Sequence, residues 1–127
     1  MRGLAFWFFF TAIIYVIAGM AFGIHMSVVQ DFALAPAHAH LNLLGWVTMA
    51  LFGIYYHLVP KAAQGLLARI HFVVATLALW IFIPGIVFAI RQEGELFAKV
   101  GSLLTILSMI LFLVIVFLSR DRQDASA

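Results

Sequence analysis

Four long apolar stretches, separated by short polar segments, dominate the pattern of this 127-residue chain. A helix needs roughly 20 apolar residues to cross about 30 Å of hydrocarbon. The pattern predicts membrane-spanning helices at residues 4–24, 38–59, 70–90 and 96–118. Because every backbone polar group in lipid needs an internal partner, we expect an all-α membrane protein built as a four-helix bundle.

The same pattern predicts one transmembrane domain, residues 1–118, followed by a polar tail, residues 119–127. The apolar residues near the start run on past Ala18 without a small-residue cleavage pattern. A secretory signal peptide has a shorter apolar region that ends in such a pattern. We therefore interpret the first stretch as a retained helix.

Composition agrees with a membrane protein, since 66% of the residues are hydrophobic and 9% are charged. A soluble domain carries about 25% charged residues, so lipid must be the solvent for most of this surface. The chain has no cysteine, which excludes disulfides, thiolate metal sites and cysteine-bound iron–sulfur clusters. So few charges also argue against a nucleic-acid partner.

The charged residues predict how the helices cross the membrane. One side of the predicted bundle holds five bases: Arg2, Lys61, Arg69, Arg120 and Arg122. The other side holds only Arg91 and Lys99, beside Asp31, Glu93 and Glu95. The positive-inside rule therefore predicts that both termini are cytoplasmic in a bacterial-type inner membrane. The second span then starts at the outer face.

Histidines are the candidate chemical groups of this chain. His25, His38 and His40 form a predicted outer tier, and His57 and His71 an inner one. An ionisable residue inside a membrane is a functional-site hypothesis by default. Polar aromatic side chains also favour the membrane interface, and we interpret His57 and His71 as interfacial residues of that kind.

His38 and His40 stand out because they begin the second span, after Pro36 in its first turn. Neutral imidazole binds haem iron, copper and zinc. Each helical residue turns the chain by about 100°, so side chains two apart point about 200° apart. One helix therefore cannot place both rings on one iron. Either one histidine is a spectator, or the two serve different faces and partners.

Other residues of the spans are candidates for supporting roles. Asn42 lies where it could hydrogen-bond a ligand histidine and fix its tautomer. Gly45 and Gly53 predict close helix approach. Trp46, Phe52 and Trp80 are candidates for walling an apolar cofactor pocket. Hydroxyls within the spans more often bond back to their own helix than form a proton path; they belong to Thr48, Thr76, Ser102, Thr105 and Ser108.

The stretch HAHLNLLGWVTMALFGIYYHLVP, residues 38–60, resembles the histidine-bearing helices of subunit I of the haem-copper oxidases and nitric oxide reductases. The best likeness is to that subunit's tenth helix. The resemblance implies haem b, with His38 matching the high-spin haem ligand and His40 the low-spin one. That subunit has about twelve helices in three arcs of four, so the resemblance also implies that a homotrimer of this chain would rebuild the same plan.

Departures from that family limit the expected activity. The third span has no adjacent histidines that would complete a copper site, and spans three and four have no internal carboxylate. No histidine and tyrosine at helical spacing match the oxidase cross-link. We therefore expect electron transfer or binding of O2 or NO, with an unknown redox partner, and leave enzymatic turnover open.

Two alternatives use the same residues. His25, His38, His40 and Asp31, with Met20 and Met26 nearby, could hold copper or zinc at the outer face. The chain could instead be a structural assembly subunit whose histidines are satisfied by backbone carbonyls or by Asn42.

Overall fold

A computed structural model describes residues 1–124, with side chains as far as Arg120. It contains four long helices: α1 (Gly3–Val29), α2 (Ala35–Leu58), α3 (Leu66–Ile90) and α4 (Leu96–Asp124). Each is long and apolar enough to cross a membrane. The prediction of an all-helical, multi-pass membrane protein is confirmed. The predicted start of the polar tail lies inside α4, and residues 125–127 lie outside the described part.

The connection between α1 and α2 shows why each helix ends or begins where it does. α1 extends beyond the predicted end at Ile24 and stops at Gln30, which has a left-handed backbone (φ 54°) and donates its N–H to the Met26 carbonyl. The Asp31 carboxylate then accepts the Ala33 N–H at 3.0 Å. Pro36 lies in the first turn of α2, as predicted, where a missing N–H costs no helical hydrogen bond.

α2 is not a regular helix. It is α-helical over Ala35–His40, a π-helix over Leu41–Thr48 and α-helical again over Met49–Leu58. The Thr48 hydroxyl donates to the Leu43 carbonyl, five residues earlier, at 2.9 Å. Wide turns of this kind are rare, and most are single turns that occur frequently at functional sites. The π-helical segment begins immediately after His40, and the sequence pattern did not predict it.

Glycines allow α1 and α2 to lie close together. A Cβ atom added at Gly53 would lie 3.0 Å from the Ala5 oxygen and the Phe9 nitrogen of α1, and one at Gly45 would lie 2.8 Å from the Tyr15 Cβ. Helices in lipid associate through such close packing, since lipid tails are as apolar as the side chains. The predicted close approach at Gly45 and Gly53 is therefore confirmed.

α3 and α4 form a second close pair, which glycines also make possible. Gly85 of α3 faces the Ala98 backbone, and Gly101 of α4 faces the Phe82 backbone, with no room for a Cβ atom at either glycine. Side chains of α2 and α4 form one of the contacts between the two helix pairs. The Phe52 and Phe112 ring centroids are 4.6 Å apart.

Candidate functional site

His40 is held with one ring nitrogen occupied and the other open. Its Nδ1 lies 2.7 Å from the Pro36 carbonyl oxygen, one turn earlier. A carbonyl only accepts hydrogen bonds, so Nδ1–H is the donor and the neutral ring carries its lone pair on Nε2. The ring packs edge-on against Phe82 of α3, at 5.3 Å between centroids. His40 is half-buried, and its position can be reached from the surface of the bundle.

His38 points to the opposite neighbour. Its ring contacts Phe22 of α1 at 6.0 Å, and a Cβ atom added at Gly23 would lie 2.9 Å from its Cε1. The two histidines thus face different helices, α1 for His38 and α3 for His40, as their spacing predicts. His38 lies in the seam between α1 and α2, and its Nδ1 is buried without a partner among the described residues.

Asn42 accompanies His38 rather than His40. Its Nδ2 lies 3.5 Å from the His38 Nε2, a long hydrogen bond. Its Oδ1 occupies the space left by the missing side chain of Gly19 and has no partner among the described residues. Buried polar atoms without partners are rare and mark places for water, ions or chemistry. The His38–Asn42 pair holds two such atoms, the His38 Nδ1 and the Asn42 Oδ1.

The aromatic side chains predicted to wall a cofactor pocket do not come together. Trp46 is half-buried against Phe9 of α1, at 6.2 Å between centroids. Phe52 lies in the core. Trp80 is 66% exposed, and its Nε1 donates to the Tyr15 hydroxyl at 3.0 Å.

Trp80 does line an apolar groove near His40. The groove has a volume of about 210 Å³ and is lined by Tyr15, Ala18, Leu41, Leu79, Trp80, Ile83 and Pro84. Leu41 directly follows His40, and Ile83 directly follows its ring partner Phe82. Sites that enclose drug-sized ligands measure about 300–1,000 Å³. This groove would therefore cover only part of a large planar cofactor.

The outer-tier residues do not form a metal cluster. His25 is exposed near the end of α1, whereas His38 and His40 face opposite neighbours. Within residues 1–120, no three histidine, aspartate or glutamate side chains lie close enough to hold a metal ion. The copper or zinc alternative therefore has no preassembled ligand set in the described part of the chain.

His71 differs most from its sequence interpretation. The interfacial assignment is wrong, because the side chain is completely buried inside the bundle. Its Nδ1 lies 2.8 Å from the Tyr56 hydroxyl. Three phenylalanine rings surround it with centroids at 4.5–5.5 Å, and they belong to Phe8, Phe52 and Phe112. His57, the other inner-tier histidine, is exposed, and its interfacial position stays a prediction.

A spacing signal in α3 could have revealed the burial of His71. Ala68, His71, Ala75 and Ala78 are all buried and follow one another at intervals of three or four residues. Such intervals place side chains on one helix face, and small residues mark faces that pack closely in membranes. His71 therefore belongs to the packed face of α3.

The hydroxyl groups of the spans mostly bond to their own helices, as predicted. Thr48, Ser102, Thr105 and Ser108 each donate to a backbone carbonyl three to five residues earlier. Thr76 is the exception, because its Oγ1 is buried without a described partner.

No protein-family model matches the chain, and no curated protein or solved structure matches it. The likeness of residues 38–60 to the haem-copper oxidases therefore stays a prediction.

Proposed function

We propose that this protein is a membrane haem b-binding protein of the haem-copper oxidase type, in which His40 would hold the haem iron. The open Nε2 of His40 is the observation that carries this proposal. Metal-ligating histidines almost always donate their other ring N–H to a carbonyl, carboxylate or water, which fixes the tautomer and the ring orientation. The Nδ1–H of His40 makes such a bond to Pro36, so the neutral ring carries its lone pair on Nε2, ready to bind a metal.

The apolar groove lined by Leu41, the residue after His40, supports a site that is shared between copies of the chain. Its volume of about 210 Å³ is too small to enclose a haem, and its lining is apolar, as the macrocycle requires. A second copy would cover the remaining face of the haem. We propose a homotrimer for this assembly, because closed cyclic symmetry would give twelve helices with α2 of each protomer near the axis.

His38 is the second candidate ligand in this proposal. It packs on Gly23 and pairs with Asn42 within the seam between α1 and α2. Ligation by His38 would require α1 and α2 to separate, whereas ligation by His40 would not. Asn42 acts on His38 in this arrangement, and Trp46 contributes packing against α1.

The proposed activity is electron transfer or the binding of O2 or NO. Haem b would supply a one-electron redox centre, and the number of histidines that hold it would decide whether a gas molecule can bind. His40 would bind and orient the group, while Trp80 and its neighbours in the groove would exclude water. Two histidine ligands would favour electron transfer, and one would favour gas binding.

The distribution of bases supports an orientation with both termini in the cytoplasm of a bacterial-type cell. Five of the seven lysines and arginines follow or precede the ends of spans on one side. In this topology His38 and His40 lie near the outer face of the inner membrane. An electron-transfer partner would then approach from that side.

A reduced-minus-oxidised absorption spectrum of the purified protein, combined with haem extraction, tests the proposal. We expect a Soret band with sharp reduced α and β bands. His40→Ala should abolish them, whereas the control His57→Ala, an exposed histidine of the same helix, should retain them. His38→Ala tests the second candidate ligand.

Other outcomes would contradict the haem assignment. A colourless preparation that holds copper or zinc would favour the outer-face metal alternative. If His38→Ala and His40→Ala changed neither pigment, metal content nor assembly, a structural subunit would be the better description. A monomeric mass in detergent with full haem occupancy would rule out the trimer.

A further inference from the structure

A cavity lies at the end of the bundle where α1 starts and α2 ends, which we term the Arg2 end. Its volume is about 490 Å³. The polar side chains that line it belong to Arg2, Tyr56, His57 and Gln64, and the apolar ones include Leu4 and Ala63. The cavity is remote in sequence from His38 and His40 and plays no part in the proposed haem site.

The polar lining of this cavity favours an anion. It contains a guanidinium, an imidazole and a carboxamide but no carboxylate. Arg2 makes no ion pair with a described carboxylate. The Tyr56 hydroxyl is already bonded to His71, so Arg2, His57 and Gln64 are the groups that can face a ligand. Guanidinium groups bind phosphate oxygens through paired, charge-assisted hydrogen bonds.

Other basic residues at the Arg2 end strengthen the preference for an anion. The sequence places Lys61, Arg69, Arg120 and Arg122 there as well, against only Asp121 and Asp124. Basic recesses between membrane helices bind the headgroups of anionic lipids. The lining also includes apolar side chains, among them Leu4 and Ala63, which suits a molecule that is anionic at one end and apolar at the other.

We propose that this cavity binds the phosphate headgroup of an anionic phospholipid, with Arg2 and His57 on the phosphate oxygens and the acyl chains in the bilayer. A free phosphate ion would share the same polar contacts but would leave the apolar lining without a partner. The lipid is therefore the better occupant.

Native mass spectrometry of the delipidated protein with added palmitoyl-oleoyl phosphatidylglycerol (POPG) tests this site. We expect the wild type to retain POPG but not the zwitterionic phosphatidylcholine of equal chain length. Arg2→Gln should weaken POPG retention about fivefold, the effect of one base near an anionic headgroup. Arg2→Lys should restore most of it.

Matched variants show whether a loss of POPG retention comes from this cavity or from a change in membrane insertion or net charge. Arg91→Gln removes the same charge at the other end of the bundle, where α3 ends and Arg91 is exposed. It should leave POPG retention unchanged. Ala63→Leu fills the apolar part of the cavity without changing charge and should also weaken retention. Equal losses in Arg2→Gln and Arg91→Gln, or equal retention of the two lipids, would overturn the site.

Inorganic phosphate distinguishes the two sources of the ligand. It should fail to displace POPG from the wild type when added at the same concentration as the lipid. Displacement would show that the site takes free phosphate and would overturn the lipid assignment. Because the readout is lipid mass, each of these results is independent of haem content.

Discussion

His40 and His71 both carry an imidazole inside a predicted membrane span, but their side chains differ in how far they are accessible from outside the bundle. Each has Nδ1 fixed by a hydrogen bond, from His40 to the Pro36 carbonyl and between His71 and the Tyr56 hydroxyl. The Nε2 of His71 is buried among phenylalanine rings without a described partner, whereas His40 is half-buried and directly precedes Leu41, which lines an apolar groove. The difference between them is access.

Access assigns the two histidines different roles. A sealed imidazole can stabilise helix packing but cannot take an external ligand unless the core opens. A fixed imidazole with an open nitrogen is prepared for a ligand at little cost in entropy. We therefore expect changes at His71 to alter the stability of the fold and changes at His40 to alter cofactor content.

The largest expected effect on stability is that of His71→Ala. Truncating a buried side chain leaves a cavity and costs about 2–5 kcal/mol, and His71 contacts residues of α1, α2 and α4. We expect a loss of about 3 kcal/mol, measured by thermal denaturation in detergent. His57→Ala is an exposed control, and in delipidated protein, where the proposed lipid contact is absent, it should stay within about 0.5 kcal/mol of the wild type. Equal stability of the two variants would remove the distinction drawn between His71 and His40.

A smaller effect is expected for Tyr56→Phe, which removes only the hydroxyl that pairs with His71. Hydrogen bonds between membrane helices contribute about 0.6 kcal/mol on average and up to about 1.7. We expect a loss of about 1 kcal/mol in the same denaturation assay. Tyr55→Phe should cost less, because Ser119, which pairs with the Tyr55 hydroxyl, keeps its bond to the Ile115 carbonyl. The reverse order would contradict the role given to the Tyr56–His71 pair.

Asn42→Leu should have the smallest effect on stability. It tests whether His38, the partner of Asn42, stabilises the fold as His71 does. Asn42 contributes one long bond to His38 and one unpaired buried oxygen. Leucine removes the unpaired oxygen, which stabilises, but also leaves the His38 Nε2 without its long bond, which destabilises, so we expect the two effects to offset to a change of less than about 1 kcal/mol. A loss as large as that in His71→Ala would place the His38–Asn42 pair with the structural core.

The sequence predicted the helices better than the contacts between them. Twenty-residue apolar stretches are sufficient to predict spans, and Pro36 marked the start of α2 correctly. The π-helical segment Leu41–Thr48 was missed, because the periodicity of apolar residues does not distinguish a wide turn within a uniformly apolar helix. Gly45 lies within this segment and packs against Tyr15 of α1.

The candidate site was predicted in part for the same reason. Opposed directions for His38 and His40 follow from helix geometry alone, and the structure has them. The Tyr56–His71 pair joins residues 15 positions apart in two different helices. A pair between helices cannot be predicted from the spacing of residues along one helix. The alanines spaced three or four residues from His71 indicated a closely packed helix face. The interfacial interpretation relied on the nearby Arg69 and did not use that spacing.

Imidazole rescue of His40→Gly is the most direct test of the central claim, that the open Nε2 of His40 binds haem iron. The glycine variant removes the ring and leaves room for a free imidazole. We expect it to lose the Soret band of the purified protein and to regain that band when haem b and imidazole are added together. A His40→Gly variant that keeps its full Soret band without imidazole would contradict the claim.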